Sequence, residues 1–280
     1  MILNSIDDIA DRYDAVFCDV WGVIHNGRNL YAGAAGALTR LRQAGKSVIL
    51  LTNIPKPRGP IPAQLDRLGF PRAAYDEIVT SGDAIRAELA ARAPGPFYKI
   101  GPPRDKELWE GLGLQQAPLA DAAFFAISGL NDDHEAPEAY ADMLAAARAR
   151  ELVMLCANPD IVVRVGDDLM WCAGAVARDY AKLGGRVIMA GKPHAPIYDL
   201  ALRELEALRG RVERARVLCI GDGPGTDLRG ANEHGFDCLF IASGMHGEAL
   251  MTNGALDEAK VAAALAEEGV RAEFVMAALH

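Results

Sequence analysis

The stretch Ala15-Val16-Phe17-Cys18-Asp19-Val20-Trp21-Gly22-Val23 decides the fold of this chain. Four apolar residues run together, and an aspartate and then a glycine follow them. A continuous apolar run of this length is typical of a strand that is buried on both faces of a parallel sheet. Such sheets bind their ligands outside the carboxyl ends of the strands. The stretch therefore predicts a strand from Ala15 to Val20 with Asp19 at the ligand-binding edge.

Along the rest of the chain, short apolar runs alternate with longer amphipathic segments. This alternation predicts an α/β fold with a doubly wound parallel sheet. The other predicted core strands are Ser47 to Asn53, Glu77 to Ser81, Val187 to Lys192, Arg216 to Asp222 and Cys238 to Ser243. Helices are predicted where apolar residues recur at helical spacing, as in Ala34 to Ala44 and Ile197 to Leu208.

A second set of α and β patterns interrupts this core. Its predicted elements are the strands Pro96 to Gly101, Ala123 to Ser128 and Leu152 to Asn158 and the helices Ala136 to Arg150 and Ala173 to Leu183. Pro94-Gly95-Pro96 marks one edge of the set and Gly184-Gly185 marks the other. We therefore expect a core formed by residues 1–83 and 185–280, with an inserted α/β domain at 84–184.

Composition excludes several classes of protein. Of 280 residues, 51% are hydrophobic and 24% are charged, which is typical of a folded chain and not of a disordered one. Lys and Arg total 29 against 38 Asp and Glu, so the net charge of −9 argues against nucleic acid as a partner. The longest apolar runs are too short for a membrane span, and the first residues do not resemble a secretory signal. We expect a soluble, cytoplasmic protein.

The five cysteines are widely spaced and include no C-x-x-C pair, which argues against a zinc or dithiol site. Cys18, Cys156 and Cys219 lie in or at the end of apolar runs, so we expect them to be small buried side chains.

Carboxylates gather at the predicted strand ends. Asp19 belongs to the first strand, while Asp222 and Asp227 belong to the end of Arg216 to Asp222 and the turn that follows it. Three carboxylates at one edge of a sheet repel one another unless a cation lies among them, and oxygen ligands suit Mg²⁺. These residues therefore predict a magnesium site.

Other residues at the same edge suit a phosphoryl group. Lys192 supplies a fixed positive charge, and the hydroxyl of Thr52 with loop amides can bind phosphoryl oxygens. Asp19 is then placed to act as a nucleophile and form an aspartyl-phosphate. Asn158 and Asp160 follow a strand of the inserted domain; either they face the substrate or Asn158-Pro159-Asp160 is a plain turn.

Four motifs in order, D-x-x-G at Asp19, T-N at Thr52, G-K-P at Gly191 and G-D-x-x-x-x-D at Gly221, resemble the haloacid dehalogenase (HAD) superfamily. The position of the insertion resembles subfamily IIA, the NagD-like phosphatases with a large α/β cap. Thr80-Ser81-Gly82 and Ala242-Ser243-Gly244 match the same pattern. The resemblance implies a HAD-like catalytic core with a cap domain, Mg²⁺ as cofactor, a small phosphorylated substrate and a homodimer formed through the cap.

The resemblance also implies a role for each matching residue. Asp19 would attack phosphorus and bind the metal, together with the backbone carbonyl of Trp21 and the carboxylate of Asp222. Asp227 would support the metal. Thr52 and the amide of Asn53 would hold phosphoryl oxygens, and Lys192 would neutralise charge on the nucleophile and substrate.

Trp21 departs from the family pattern, which usually has a second aspartate there to protonate the leaving group. An indole N–H donates a hydrogen bond but transfers no proton near neutral pH. General acid catalysis is typically worth about 10²–10⁴-fold in rate. His25 is the nearest titratable side chain that could replace the acid.

Two functions follow from these observations. The first is a phosphatase acting through Asp19, slow or biased towards good leaving groups because of Trp21. The second is a non-hydrolytic binding or sensor protein that keeps the metal and phosphate site.

Overall fold

A computed structural model describes residues 1–166, 168–242, 249–253 and 255–280. The strands, in chain order, are β1 Ala15–Cys18, β2 Ser47–Thr52, β3 Glu77–Thr80, β4 Phe97–Ile100, β5 Phe124–Ile127, β6 Val153–Cys156, β7 Val162–Val165, β8 Asp168–Trp171, β9 Arg186–Met189, β10 Val217–Gly221, β11 Asp237–Ile241, β12 Met251–Thr252, β13 Ala255–Leu256 and β14 Phe274–Met276. The α-helices are α1 Ala34–Gln43, α2 Ile61–Arg67, α3 Ser81–Ala90, α4 Ala141–Ala149, α5 Ala173–Lys182, α6 Ala195–Arg209, α7 Arg229–His234 and α8 Glu258–Glu267.

The larger sheet has six parallel strands in the order β14-β11-β10-β1-β2-β3. In its centre Cys18 of β1 lies between Leu50 of β2 and Ile220 of β10. The chain runs outward from β1 in one direction to β2 and β3, and later returns to the other side through β10. The carboxyl end of β1 therefore lies at the switch in strand order, where doubly wound sheets bind ligands. The predicted α/β class is confirmed.

Both faces of this sheet are buried. Val16 and Cys18 of β1 pack in one apolar cluster with α1, whereas Ala15 and Phe17 pack in another with α6. The predicted helices at α1 and α6 are confirmed. Because alternate residues of each strand point to opposite faces, burial of both faces requires the uninterrupted apolar runs seen in the sequence.

A second parallel sheet has the order β4-β5-β6-β9. The assignment of Val187 to Lys192 to the core sheet was therefore wrong. β9 pairs with β6, with Met189 beside Cys156, because an apolar run carries no information about which of two parallel sheets it joins. On this pairing we propose that the inserted domain extends past residue 184 to Met189 and that the core resumes at Ala190.

β7 and β8 form an antiparallel hairpin that the sequence patterns did not predict. It contacts the loop that follows β1: the Gly166 N–H donates to the Asn26 carbonyl at 3.1 Å. Arg28 pairs with Asp168 at 3.3 Å. The hairpin therefore links the second unit to the carboxyl edge of the larger sheet.

Smaller features agree with the sequence. All five cysteines are buried free thiols. Among the described residues, no helix has the length and apolar character needed to cross a membrane. Of the predicted motif Ala242-Ser243-Gly244, the last two residues lie outside the described part of the chain.

Candidate active site

The carboxyl ends of β1, β2 and β10 meet at one place. Asp19 follows β1, Thr52 ends β2, and Asp222 follows β10. Carboxylate oxygens of Asp19, Asp222 and Asp227 all lie within 4.8 Å of one another, and the three residues are buried. The structure thus brings together the three carboxylates that the sequence placed at strand ends.

Two close approaches bring Asp222 and Asp227 into this group. A π-helical turn, Pro224–Leu228, returns Asp227 towards β10, where its Oδ2 accepts the Gly223 N–H at 3.1 Å. A Cβ on Gly221 would lie only 2.2 Å from the Asp227 side chain. A Cβ on Gly22, whose φ is +90°, would lie 2.1 Å from Asp222 Oδ2. Glycine is therefore required at Gly221 for Asp227 to approach β10 and at Gly22 for Asp222 to approach the loop after β1.

Lys192 lies at the centre of this charge cluster. Its Nζ donates to Asp19 Oδ1 at 2.5 Å and to Asp227 Oδ1 at 2.7 Å, and the residue is 3% exposed. Burial alone would lower the pKa of Lys192, but the carboxylates of Asp19 and Asp227 raise it above its usual value. Burial and the charge of Asp227 raise the pKa of Asp19, against the opposing effect of Lys192. Three carboxylates face one ammonium group, an imbalance that a divalent cation would correct.

Asn53 positions the backbone of Lys192. Its Oδ1 accepts the Lys192 N–H at 2.7 Å, and its Nδ2 donates to the Lys192 carbonyl at 3.1 Å. The same Nδ2 donates to Asp160 Oδ1 at 2.8 Å. A Cβ on Gly191 would lie 2.5 Å from Asn53 Oδ1, so this glycine permits the contact. The T-N and G-K-P motifs are therefore parts of one hydrogen-bonded unit.

A cavity, which we call the site cavity, surrounds these groups. Its lining from the larger-sheet side is Asp19, Trp21, Gly22, Tyr31, Thr52, Asn53, Lys192, Asp222, Gly223, Thr226 and Asp227. From the other side it is closed by Asp160, Val162, Val163 and Arg164. Eight of the nine site residues predicted from sequence line this cavity; Asn158 does not.

A larger space, the outer cleft, extends from the site cavity. Its lining includes the apolar side chains of Leu65, Leu68, Met170 and Trp171. Asn158 lies here, where its Oδ1 accepts the Asp160 N–H at 3.1 Å. The two spaces share five residues, which define the opening between them: Trp21, Thr52, Asn53, Asp160 and Val163.

Trp21 connects the site to the β7–β8 hairpin. Its Nε1 donates to the Arg164 carbonyl at 2.7 Å. Its ring lies edge-on to His25, with 5.0 Å between centroids, and a Cβ on Gly27 would lie 2.6 Å from it. The indole N–H is thus used in a contact between the two units.

His25 is an unfavourable replacement for the missing acid. It lines the outer cleft and not the site cavity, and it is 6% exposed. Burial lowers its pKa to about 4, and its Nδ1 accepts the Gly27 N–H at 2.9 Å. The ring is therefore neutral near pH 7.

Tyr31 and the hairpin residues Val162, Val163 and Arg164 also line the site cavity, although the sequence patterns did not predict them as site residues. A signal for the hairpin was present, because Gly166-Asp167-Asp168 separates the mostly β-branched run Ile161 to Val165 from Leu169-Met170-Trp171. Three residues that include a glycine between two such runs are typical of a hairpin. Tyr31 lies in a loop and has no comparable signal.

The chain is similar to known proteins over its whole length. A family model described as haloacid dehalogenase-like hydrolase matches residues 16–115, and a HAD-hydrolase-like model matches residues 189–267. A hydrolase of the haloacid dehalogenase-like family from Brucella suis 1330 is 45% identical, with a TM-score of 0.89 and 100% of both chains covered. The glycerol-3-phosphate phosphatase of Gallus gallus is 26% identical over 83% of this chain and 80% of its own length. The fold also matches a glycerol phosphate phosphatase from Mycobacterium tuberculosis in complex with magnesium, with 23% identity, a TM-score of 0.65, and 88% of this chain and 73% of that one covered.

Proposed function

The chain belongs to the haloacid dehalogenase-like hydrolases, and we propose that it is a Mg²⁺-dependent phosphatase that acts through an aspartyl-phosphate on Asp19. Its substrate would be a small phosphorylated metabolite, in keeping with the phosphatases to which it is similar. The observation that carries the proposal is the cluster of Asp19, Asp222, Asp227 and Lys192 at one sheet edge.

The donor set of this cluster suits magnesium. Mg²⁺ prefers carboxylate and carbonyl oxygens, and the buried oxygens of Asp19, Asp222 and Asp227 provide them. The backbone carbonyl of Trp21 is the further ligand that the family resemblance implies. A bound Mg²⁺ would polarise the phosphoryl oxygens as a Lewis acid.

The remaining steps belong to the side chains. Asp19 attacks phosphorus, since its carboxylate lies at the end of β1 facing the site cavity. Lys192 offsets the negative charge of both Asp19 and the phosphoryl group. Thr52 and the amide of Asn53 hold phosphoryl oxygens, while Val162 and Val163 exclude water from the reacting groups. Trp21 supplies no proton, so either another group does so or catalysis is confined to good leaving groups.

The test is phosphate release from p-nitrophenyl phosphate with and without Mg²⁺. We expect metal-dependent turnover that Asp19→Asn abolishes, because the amide is not a nucleophile and the variant keeps the size of the side chain. Magnesium binding without turnover above the Asp19→Asn level would contradict the proposal. It would favour a non-hydrolytic binding or sensor protein instead.

Two further proposals concern the assembly and the location of the protein, the first from the resemblance and the second from the composition and the short apolar runs. A homodimer formed through the inserted domain predicts twice the mass of one chain in analytical ultracentrifugation. A cytoplasmic location predicts that the protein is recovered with the soluble contents of cells.

A further inference from the structure

We propose that Asp160, from the inserted domain, is the general acid and base that replaces the aspartate missing at Trp21. This inference rests on the proposed function and adds the source of the proton. It assigns to the inserted domain a direct part in the chemistry.

The position of Asp160 carries the inference. A leaving group attached to a phosphoryl group in the site cavity must extend through the opening into the outer cleft. Trp21, Thr52, Asn53, Asp160 and Val163 surround that opening. Of these five side chains, only the carboxyl group of Asp160 can both release and take up a proton near neutral pH. The leaving oxygen is therefore expected to lie beside an acidic side chain at the opening.

Hydrogen bonds hold this carboxyl group in place. Oδ1 accepts the Asn53 Nδ2–H at 2.8 Å, which ties it to the same side chain that positions Lys192. The Asp160 N–H donates to Asn158 Oδ1 at 3.1 Å, and its carbonyl accepts the Gly174 N–H at 3.1 Å. A Cβ on Gly174 would lie 2.5 Å from that carbonyl oxygen. Hydrogen bonds thus fix both the backbone and the side chain of Asp160.

The surroundings of Asp160 favour its protonated form. Burial raises the pKa of Asp160, while Lys192 and the hydrogen bond from Asn53 oppose that change. Asp227 acts in the same direction as burial. The other titratable groups near it are the thiols of Cys156 and Cys172, which stay protonated because burial raises their pKa. A carboxyl group with a raised pKa can act as acid in one step and as base in the next.

Two other proton donors near the site, His25 and Tyr31, are less suitable. His25 lines only the outer cleft, with a pKa of about 4. Tyr31 lines only the site cavity, and burial together with the charge of Asp222 raises the pKa of its phenol. A phenol with a raised pKa is a much weaker acid than a carboxyl group, so it protonates a leaving oxygen less readily.

One proton, carried by Asp160, accounts for the proton transfers in both chemical steps. In the first, an Asp19 oxygen bonds to phosphorus, the bond from phosphorus to the leaving oxygen breaks, and that oxygen takes the Asp160 proton. In the second, a water oxygen bonds to phosphorus and the bond to Asp19 breaks. The water proton passes to Asp160. Inorganic phosphate leaves, and both aspartates return to their starting states.

The experiment compares kcat/KM of parent and Asp160→Asn for phenyl, p-nitrophenyl and 2,4-dinitrophenyl phosphate. Asparagine keeps the acceptor for Asn53 but carries no acidic proton. For phenyl phosphate, whose leaving group needs the proton most, we expect a loss of about 10²–10⁴-fold. For 2,4-dinitrophenyl phosphate, which leaves without protonation, the loss should be within about threefold. The alkaline limb of the pH profile for phenyl phosphate should disappear in the variant.

The matched control is Asp142→Asn, which removes an exposed carboxylate from α4 of the inserted domain and should leave all three rates unchanged. Equal loss on all three substrates would overturn the inference and assign Asp160 a structural or binding role. No loss on phenyl phosphate would overturn it as well. Failure of the proposed function would look different from failure of this inference. In that case the parent itself would show no Mg²⁺-dependent turnover above the level of Asp19→Asn.

Discussion

The fold controls the charge of individual buried side chains in this protein. Lys192 stays charged between Asp19 and Asp227, each within 2.7 Å of its Nζ. His25, a few residues beyond Trp21, is instead kept neutral by burial. A buried group that must stay neutral makes the folded state sensitive to acid.

We predict that the protein becomes less stable as the pH falls, because His25 is buried in its neutral form. Its pKa is about 4 in the folded protein against 6.5 for the ordinary side chain. Between these values the unfolded chain binds a proton that the folded chain does not, so stability is lost as pH falls through this window, by up to about 3 kcal/mol. Urea unfolding at about pH 7.5 and 4.5 measures this loss.

The variant His25→Asn keeps an acceptor for the Gly27 N–H and removes the titration. It should lose less stability than the parent over the same pH range. His134→Asn, at an exposed position, is the control and should follow the parent. An identical pH dependence in parent and His25→Asn would show that the buried ring does not govern acid stability.

At the scale of elements, the loop after β2 is held against the start of α3. Thr80 Oγ1 donates to the Lys56 carbonyl at 2.6 Å and accepts the Asp83 N–H at 2.9 Å. A Cβ on Gly82 would lie 2.3 Å from the Lys56 carbonyl oxygen. Thr80-Ser81-Gly82 therefore begins α3 and packs closely against the backbone of Lys56. This contact helps to place the loop that carries Thr52 and Asn53 at the site.

We predict opposite effects for two glycine-to-alanine changes in helices. Gly82→Ala should destabilise the protein by about 1–3 kcal/mol, because the backbone of Lys56 must move. Gly36→Ala in α1 meets only the end of Arg40, at 3.6 Å, and should stabilise by about 0.4–1 kcal/mol. Urea unfolding of both variants is the measurement. Equal changes in stability would show that helix propensity, and not the contact with Lys56, determines the effect of the substitution at Gly82.

At the scale of the whole molecule, the site depends on two units that are far apart in the chain. Trp21 and the Arg164 carbonyl, which it contacts, are separated by 143 residues. Asn53 and Asp160, also in direct contact, are separated by 107. The three carboxylates also come together only in the folded state. A metal that binds them therefore stabilises the complete fold.

We predict that Mg²⁺ raises the melting temperature. A ligand that binds only the folded state at about 100 times its Kd adds about 2.7 kcal/mol of stability. Asp222→Asn removes one of the three clustered carboxylates and should abolish most of this shift. Asp168→Asn, exposed on the hairpin, should keep it. Thermal unfolding with increasing MgCl₂ tests this, and a shift that survives Asp222→Asn would place the ion elsewhere.

Most of the predicted residues that line the site cavity could be placed there from the sequence because each of them ends or follows an apolar run. Asp19, Thr52 and Asp222 lie at strand ends, and parallel strands bring their carboxyl ends to one edge. Asn158 and Asp160 could not be separated in this way, since both follow β6 in one turn. Only the structure places Asp160 at the opening and Asn158 in the outer cleft.

The sequence by itself determined the α/β class, the positions of most parallel strands and eight of the residues that line the site cavity, because strand burial and local spacing depend on consecutive residues. Tertiary structure alone decided that β9 joins the second sheet, that the β7–β8 hairpin closes the site cavity, and that Asp160 lies beside Asn53. These outcomes depend on contacts between segments distant in the chain. Local patterns of hydrophobicity and turn residues do not encode such pairings.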